Sequence, residues 1–360
     1  MDELYIGVMS GTSLDGIDIV LCNINKSQCK LLYSHEFPFQ TQIKEKILSL
    51  ISEKSSLQTI GELDTQLGLM FADAINSFLD LHKIKRKDIQ AIGLHGQTLW
   101  HEPNSEFPFS MQLGNANIVC AKTSITTISD FRRMDMAHGG QGAPFTPAFH
   151  QFLFSSLGEH TAVVNIGGMA NITLLGKTLQ GWDTGCGNVL LDLWMQQTQE
   201  KAYDKDGLFA QSGTLDTKLL ASMLSDSYFT KPAPKSTGRE YFNASWLSSF
   251  LPLFHTFKDA DIQRTLLELT ALSIANDLNA SKVQQVIICG GGAKNSFLMQ
   301  RLQALTSAKV ILSDALGVSS DFLEAMAFAW FAYKRIHKEK VALSSVTGAK
   351  QDSLLGCIYE

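Results

Sequence analysis

Long apolar runs, basic tracts and cysteine pairs are all missing from this 360-residue sequence. The longest apolar run, AMAFAWFAY from Ala325 to Tyr333, is too short to cross a bilayer. The start, MDELYIGVMSG, has neither a basic region nor a cleavage-type apolar stretch, so no membrane association and a cytoplasmic location are expected. A net charge of -5 with no run of Lys or Arg longer than a few residues argues against a nucleic-acid surface or an anionic membrane surface. Small molecules or proteins are left as partners. The six cysteines are scattered and form no CxxC pair, and the nine histidines are equally dispersed. That spacing predicts reduced core thiols and no structural metal.

What is present is an alternation of short β-branched runs with longer stretches of helical period, the pattern of an α/β protein. A chain of this length predicts two lobes with a cleft between them. Strands are expected at Tyr5–Met9, Ile17–Ile24, Ala91–His95, Ala162–Ile166, Asn171–Leu175, Val286–Cys289 and Val310–Leu312. Leu63, Leu67, Phe71, Ile75 and Phe78 fall on one face of a helix, and TLLELTALSIANDLNA is apolar nearly all round. FTKPAPKSTGREYF reads as a long surface loop, and its Lys235–Glu240 segment has no assigned role. One echo stands out: VVNIGGMANITLL repeats the strand, glycine turn, strand plan of YIGVMSGTSLDGIDIVLCNI, which suggests an internal duplication.

Glycine-rich turns let backbone N–H groups converge on an anion. Ser10, Gly11, Thr12, Ser13, Asp15 and Gly16 form one such turn, with hydroxyls that can add donors. The plainer reading is a tight hairpin turning at Asp15 and Gly16. Gly167, Gly168 and Asn171 form the second. A third cluster runs from a buried strand through Gly290, Gly291 and Gly292 to Asn295 at the start of a helix, a natural nucleotide position. A turn that needs glycine for packing is the alternative there.

The order of these parts resembles the phosphate 1, connect 1, phosphate 2, adenosine and connect 2 segments of the actin, sugar-kinase and heat-shock-chaperone ATPase superfamily. Within it, MSGTSLDGID, LHGQTLWHEP, DFRRMDMAHGGQGAP, NIGGMANIT, GWDTGCGNVLLD, KSTGREYF, GGGAKNSFLM, EAMAFAW and VTGAKQDSLLG together resemble the anhydro-N-acetylmuramic acid kinases from Tyr5 to Tyr359. The resemblance implies a two-lobed, actin-like (ribonuclease H-like) duplicated α/β fold with an ATP cleft. The first lobe would be 1–145 with about 340–360, the second 146–339. It also implies ATP and Mg²⁺ as cofactors, an anhydro amino sugar as the small-molecule partner, and a homodimer. One departure is Cys186, where the family usually has Pro.

By this resemblance Asp183 is the general base, although composition alone would make it a turn or capping aspartate. It would activate a water that opens the 1,6-anhydro ring, and the released O6 would take the phosphoryl group. Glu324 is a second catalytic candidate, but a first-turn glutamate is also favoured by the helix dipole. Arg132 with the Gly139–Gly142 turn, which holds Gly140 and Gln141, is a candidate for the sugar's lactyl carboxylate, the alternative being a solvated or structurally paired arginine. His95 and Gln97 are further substrate candidates, with His95 also readable as a buried, hydrogen-bonded core residue. Two other activities compete: a conventional kinase acting on a free sugar hydroxyl, and an actin-like or chaperone-like ATPase that answers to a protein partner.

Overall fold

Two sheets carry the chain, and each begins where the sequence repeats itself. In the computed structural model, which describes residues 2–11, 14, 16–52, 56–233, 235–239, 241–250 and 257–360, the chain divides into two units. One is Met1–Leu153 with Phe322–Glu360, and the other is Phe154–Asp321.

The first unit holds β1 (Glu3–Ser10), β2 (Gly16–Ile24), β3 (Cys29–Pro38), β4 (Ile89–Glu102), β5 (Phe109–Leu113), β6 (Thr127–Ser129) and β12 (Cys357–Tyr359). The second holds β7 (Thr161–Ile166), β8 (Ala170–Leu175), β9 (Gln180–Gly185), β10 (Gln285–Cys289) and β11 (Lys309–Leu312). The strand order is β12-β6-β4-β1-β2-β3, with β5 on β4, in one sheet and β11-β10-β7-β8-β9 in the other. In both, three consecutive strands pair antiparallel, and two later strands add in parallel on the far side of the first. This is a ribonuclease H-like plan present twice, so the duplicated α/β fold read from the sequence is the fold observed.

Apolar side chains explain why the helices settle where they do. Leu63, Leu67, Phe71, Ile75 and Phe78 of the helix Leu57–Leu81 are all buried in the first unit's core with Ile6, Val8, Ile17 and Ile19. The helix Asp259–Ala280 buries Leu266, Leu267, Ile274 and Leu278 beside Val164, Ile172 and Ile288 in the second.

The boundary drawn at residue 339 differs from this division. The helix Leu323–Ile336 belongs to the first unit because Gly7 on β1 and Gly93 on β4, register partners, offer it a flat surface. A methyl on Gly7 would strike the backbone of Ala325 and Ala329, and one on Gly93 the carbonyl of Phe328. The alanines of this helix allow the close approach, and the backbone stays within van der Waals reach of the sheet. Most of the helix Thr146–Phe154 also falls in the first unit, where Phe149 packs with its ring centroid 5.6 Å from that of Trp330.

Candidate functional site

The first unit gathers a polar cluster at the ends of β1 and β4. Ser10 Oγ donates to Gln97 Oε1 at 2.5 Å, and Gln97 Nε2 lies 3.4 Å from the Gly11 carbonyl it donates to. Gln97 is therefore engaged with the glycine turn itself. Leu14 drops into the core beside Ile17, and its N–H donates to Gly11 O at 3.3 Å. Thr12, Ser13 and Asp15, the remaining residues expected to hold phosphate here, lie outside the described residues.

His95, 4 % exposed, stands two residues before Gln97. Arg132 donates to His95 Nε2 through Nε at 3.2 Å and Nη2 at 2.9 Å, and through Nη1 to Gly142 O at 2.7 Å. An arginine can only donate, so Nε2 accepts and the imidazole's one proton sits on Nδ1. Burial, then the Arg132 charge, hold His95 well below the usual histidine range. His95 is thus a neutral acceptor that orients Arg132, which agrees with the core reading. These bonds use three of the five guanidinium N–H groups and leave one on each terminal nitrogen, the geometry that takes a carboxylate end-on.

Burial lowers Arg132 to about 10, with Glu324 and Asp135 opposing the fall, so it remains a cation at neutral pH. Burial pushes the Glu324 carboxyl up and the Arg132 charge works against it. Glu324 does occupy the first turn of its helix, but it faces a buried cation as well as the helix dipole.

The Gly139–Gly142 turn is wrapped around Asp135. That buried carboxylate accepts from Gly142 N at 2.8 Å and Thr347 Oγ1 at 2.7 Å, and a methyl on Gly140 would strike it. Gln141 N donates to Thr347 O at 2.9 Å. Gly140 and Gln141 therefore sit on a turn fixed from below.

In the second unit, register brings Cys289, Asn165, Asn171 and Asp183 side by side across β10, β7, β8 and β9. Residues directly opposite in neighbouring strands project to the same face, so three polar side chains form a row at the sheet's end. Asp183 lies inside β9, where composition alone reads it as a turn or capping aspartate. Because β9 is the edge strand, its outward backbone groups need other partners. Asp183 N donates to Lys235 O at 2.9 Å, Tyr228 Oη donates to Asp183 O at 2.7 Å, and Thr237 N donates to Asp183 Oδ2 at 2.9 Å. The neighbouring Trp182 Nε1 donates to Asp277 Oδ2 at 2.9 Å.

The turn between β7 and β8 is held from one side. Asn188 N and Val189 N, opening the helix Val189–Gln199, donate to Gly167 O at 2.9 Å and Gly168 O at 3.0 Å. In a trans peptide the following N–H points opposite to the carbonyl, so the N–H groups of Gly168 and Met169 turn away from that helix. Asn188 is the cap by position only: its Nδ2 donates to Ile166 O at 3.3 Å instead of its side chain capping the helix. Gly187 (φ +35°) packs on the same tip, where a methyl would come within 2.5 Å of Gly167 O. Cys186 is buried beside it, its thiol pushed up to about 12 by burial.

At the third glycine cluster a 3₁₀ turn, Gly291–Lys294, stands between β10 and the helix Ser296–Leu305, which the sequence had joined directly. Gly290 has φ +81°, and a methyl there would strike Asn165 Oδ1, so only glycine fits. Gly292 abuts Ile166. Gly291 has open space around it, a site where a ligand's flat face can approach the backbone. Asn295 Oδ1 caps the following helix through Leu298 N at 2.9 Å.

Comparison with known proteins decides the family. The family profile described as "Anhydro-N-acetylmuramic acid kinase" matches residues 3–360. The chain belongs to the anhydro-N-acetylmuramic acid kinase family. It is 55% identical to the anhydro-N-acetylmuramic acid kinase of Sulfurimonas denitrificans over 368 residues, covering 100% of each chain. It is 52% identical to that of Sulfurovum sp. over 358 residues, covering 99% of each. Among solved structures, the activator of the 2-hydroxyisocaproyl-CoA dehydratase from Clostridium difficile with bound ADPNP matches at TM-score 0.48 and 12% identity, over 93% of this chain and 96% of that one.

Two features of this kinase-family chain were not singled out from its sequence. Asp135 is the organiser of the Gly139–Gly142 turn, yet a carboxylate in a short helix reads as a surface residue; only the DMAHGGQG spacing hinted at it. The hold of Lys235 and Thr237 on Asp183 runs through backbone atoms, which leave no side-chain signature.

Proposed function

We infer that this chain uses ATP to phosphorylate 1,6-anhydro-N-acetylmuramic acid, opening its internal ether with water and giving N-acetylmuramic acid 6-phosphate and ADP. The family match over residues 3–360 carries the kinase assignment. The observation that supports the route is Asp183, a half-buried carboxylate whose backbone N–H, backbone carbonyl and Oδ2 each have a fixed partner. Such a carboxylate is pre-organised to take a proton.

In this account Asp183 takes a proton from water as the water attacks C1. The C1–O6 bond breaks and O6 accepts the γ-phosphoryl group, with ADP leaving. Arg132 offers its two remaining terminal N–H groups to the sugar's lactyl carboxylate, and Glu324 hydrogen-bonds sugar hydroxyls. Ser10, Gly11 and Gly16 of the first turn, Gly167, Gly168 and Asn171 of the second, and Gly290, Gly291 and Gly292 receive the nucleotide. The carbonyls of Gly167 and Gly168 are already occupied, which supports an anion-facing role for the N–H groups that follow them. No cluster of three acidic, histidine or cysteine side chains that could hold a metal stands among the described residues, so Mg²⁺ would be carried largely by nucleotide phosphates and water, and it would supply charge neutralisation on the phosphoryl oxygens. The family resemblance carries the homodimer and cytoplasmic location; no described helix is long and apolar enough to cross a membrane.

The test is incubation with ATP, Mg²⁺ and the anhydro sugar in ¹⁸O-labelled water, followed by mass spectrometry. A 6-phosphate carrying one solvent oxygen at C1, after correction for anomer exchange, is the expected product. Phosphorylation with the anhydro ring intact, or turnover only with a free hexose, would contradict the reading.

A further inference from the structure

The segment that fixes Asp183 also carries a cation to the second glycine turn. From Lys235 to Gly238 the chain is pinned at three points: Lys235 O on Asp183 N, Thr237 N on Asp183 Oδ2, and Gly238 O accepting from Tyr241 N and Phe242 N at 3.1 Å each. Phe242 is fully buried, so the far end of the segment is anchored in the core. Lys235 Nζ lies 4.9 Å from the centre of the Tyr228 ring, the same tyrosine that holds the Asp183 carbonyl. Arg239 follows directly on this anchored stretch. Its side chain crosses to the β7–β8 turn, where a methyl on Gly168 would lie 3.6 Å from Arg239 Nη2 and 3.8 Å from Nε.

Several features make this placement unlike that of a surface arginine solvated at random. Arg239 is exposed, and among the described residues it forms no ion pair, although the chain carries 35 acidic residues. The glycine beside it is one whose own carbonyl, and that of Gly167, accept from the N-terminal end of the helix Val189–Gln199. A guanidinium thus lies beside a turn whose first two residues have no side chain, next to the backbone N–H groups of Gly168 and Met169. An arginine fork matches the geometry of phosphoryl oxygens, and backbone N–H groups complete the shell. Beside it, Thr237 Oγ1 is buried without a hydrogen-bond partner among the described residues, an orphan next to the Asp183 carboxylate.

We propose that Arg239 is a phosphate ligand, binding phosphoryl oxygens at the Gly167–Gly168 turn, and that the Lys235–Arg239 segment ties this ligand to Asp183 as one rigid piece. The proposal rests on the kinase reading above and adds a side chain to it. The phosphoryl oxygens can belong to the nucleotide or to the sugar 6-phosphate, and the charge that develops between them during transfer is where a fixed guanidinium gains most.

The experiment compares wild type, Arg239→Ala and Arg239→Lys in steady-state phosphorylation, with ADP, the sugar 6-phosphate and the unphosphorylated anhydro sugar each titrated by calorimetry. For Arg239→Ala, kcat is expected to fall about 10²-fold, with Arg239→Lys between the two because it keeps the charge and loses the fork. Weakened ADP binding places the ligand on the nucleotide, and weakened 6-phosphate binding places it on the product. Anhydro-sugar affinity and the melting temperature should be unchanged. An Arg239→Ala enzyme with wild-type kcat and wild-type affinity for both phosphates would overturn the proposal, as would a loss confined to the anhydro sugar. Failure of the wild type to phosphorylate the anhydro sugar would count against the kinase reading instead, so the two are separable.

Discussion

The two sheets share a plan, and among the described residues the second keeps a fixed carboxylate at the end of its third strand. Row for row, the hairpin ladder of the second unit reads Asn165, Asn171, Asp183, and that of the first reads Met9, Asp18, Glu36. Glu36 therefore stands where Asp183 stands. It is exposed and on an edge strand, and a methyl on Gly16 would come 2.5 Å from its Oε1. Asp183 has a segment folded over the edge to hold it. A duplicated fold supplies the position of a carboxylate twice, but pre-organisation has to be built by what is inserted beside it.

The sharpest way to break this comparison is to mutate both members of the pair. Asp183→Asn should lower kcat by about 10²–10⁴-fold, the usual range for a general base, while Glu36→Gln leaves it within about twofold. Equal losses in the two variants, measured in the same phosphorylation assay, would dissolve the distinction between the units.

The first unit's contribution is predicted to be recognition of the sugar. Arg132→Ala should raise the Kd for the anhydro sugar about 10- to 100-fold, the loss of a charge-assisted fork, with nucleotide affinity retained. Arg132→Lys should recover little, because an ammonium's three donors radiate from one nitrogen and cannot reproduce the planar fork that reaches His95, Gly142 and a carboxylate from separate nitrogens. Calorimetric titration of sugar and nucleotide separately reads both.

A further asymmetry lies in how the helices dock. Among the described residues, the first sheet offers a register-paired glycine couple, Gly7 and Gly93, to a helix backbone. Gly93→Ala should lower unfolding free energy by about 1–3 kcal/mol through forced separation of sheet and helix, read as a denaturant midpoint shift. An Ala substitution at Gly291, which has open space, should cost less than about 1 kcal/mol and sharpens the contrast.

The smallest effect concerns pH. His150 is held at about 3 by burial, and His95 is also held well below the ordinary range, by burial and then the Arg132 charge. A depressed histidine contributes stability that is complete above about 6.5 and is lost as pH falls toward the folded value. Both lie in the first unit, so its melting temperature should drop between pH 7 and 5, each histidine taking up about one proton on unfolding. Glu324, raised by burial, acts in the opposite sense, favouring the fold when protonated. His150→Gln should flatten the dependence; an unchanged slope in calorimetric scans would contradict the assignment.

Much of this was legible in the sequence, for identifiable reasons. The runs at Tyr5, Ile17, Ala162, Val286 and Val310 are β-branched and half or fully buried, so their strands announced themselves. Strand β3, CKLLYSHEFP, was missed because an edge strand with exposed Leu32 and Tyr33 lacks clean alternation. Strand β9, QGWDTG, was missed in part because its glycines and aspartate look like a turn; tertiary pairing with β8 overrides that preference. The KSTGRE segment is conspicuous in sequence, yet what holds Asp183 there is a carbonyl and an N–H that every residue type possesses. Glu324 and Asp135 show the same limit, since burial of a carboxylate is decided by what packs around it.

The most direct test of the central claim, that the pinned carboxylate of the second unit drives ring opening and phosphoryl transfer as one event, is a single-turnover reaction of Asp183→Asn in ¹⁸O-labelled water. The account predicts that ADP formation and solvent-oxygen incorporation fall together. ADP released at the wild-type rate, or a ring that still opens with one solvent oxygen, would contradict it.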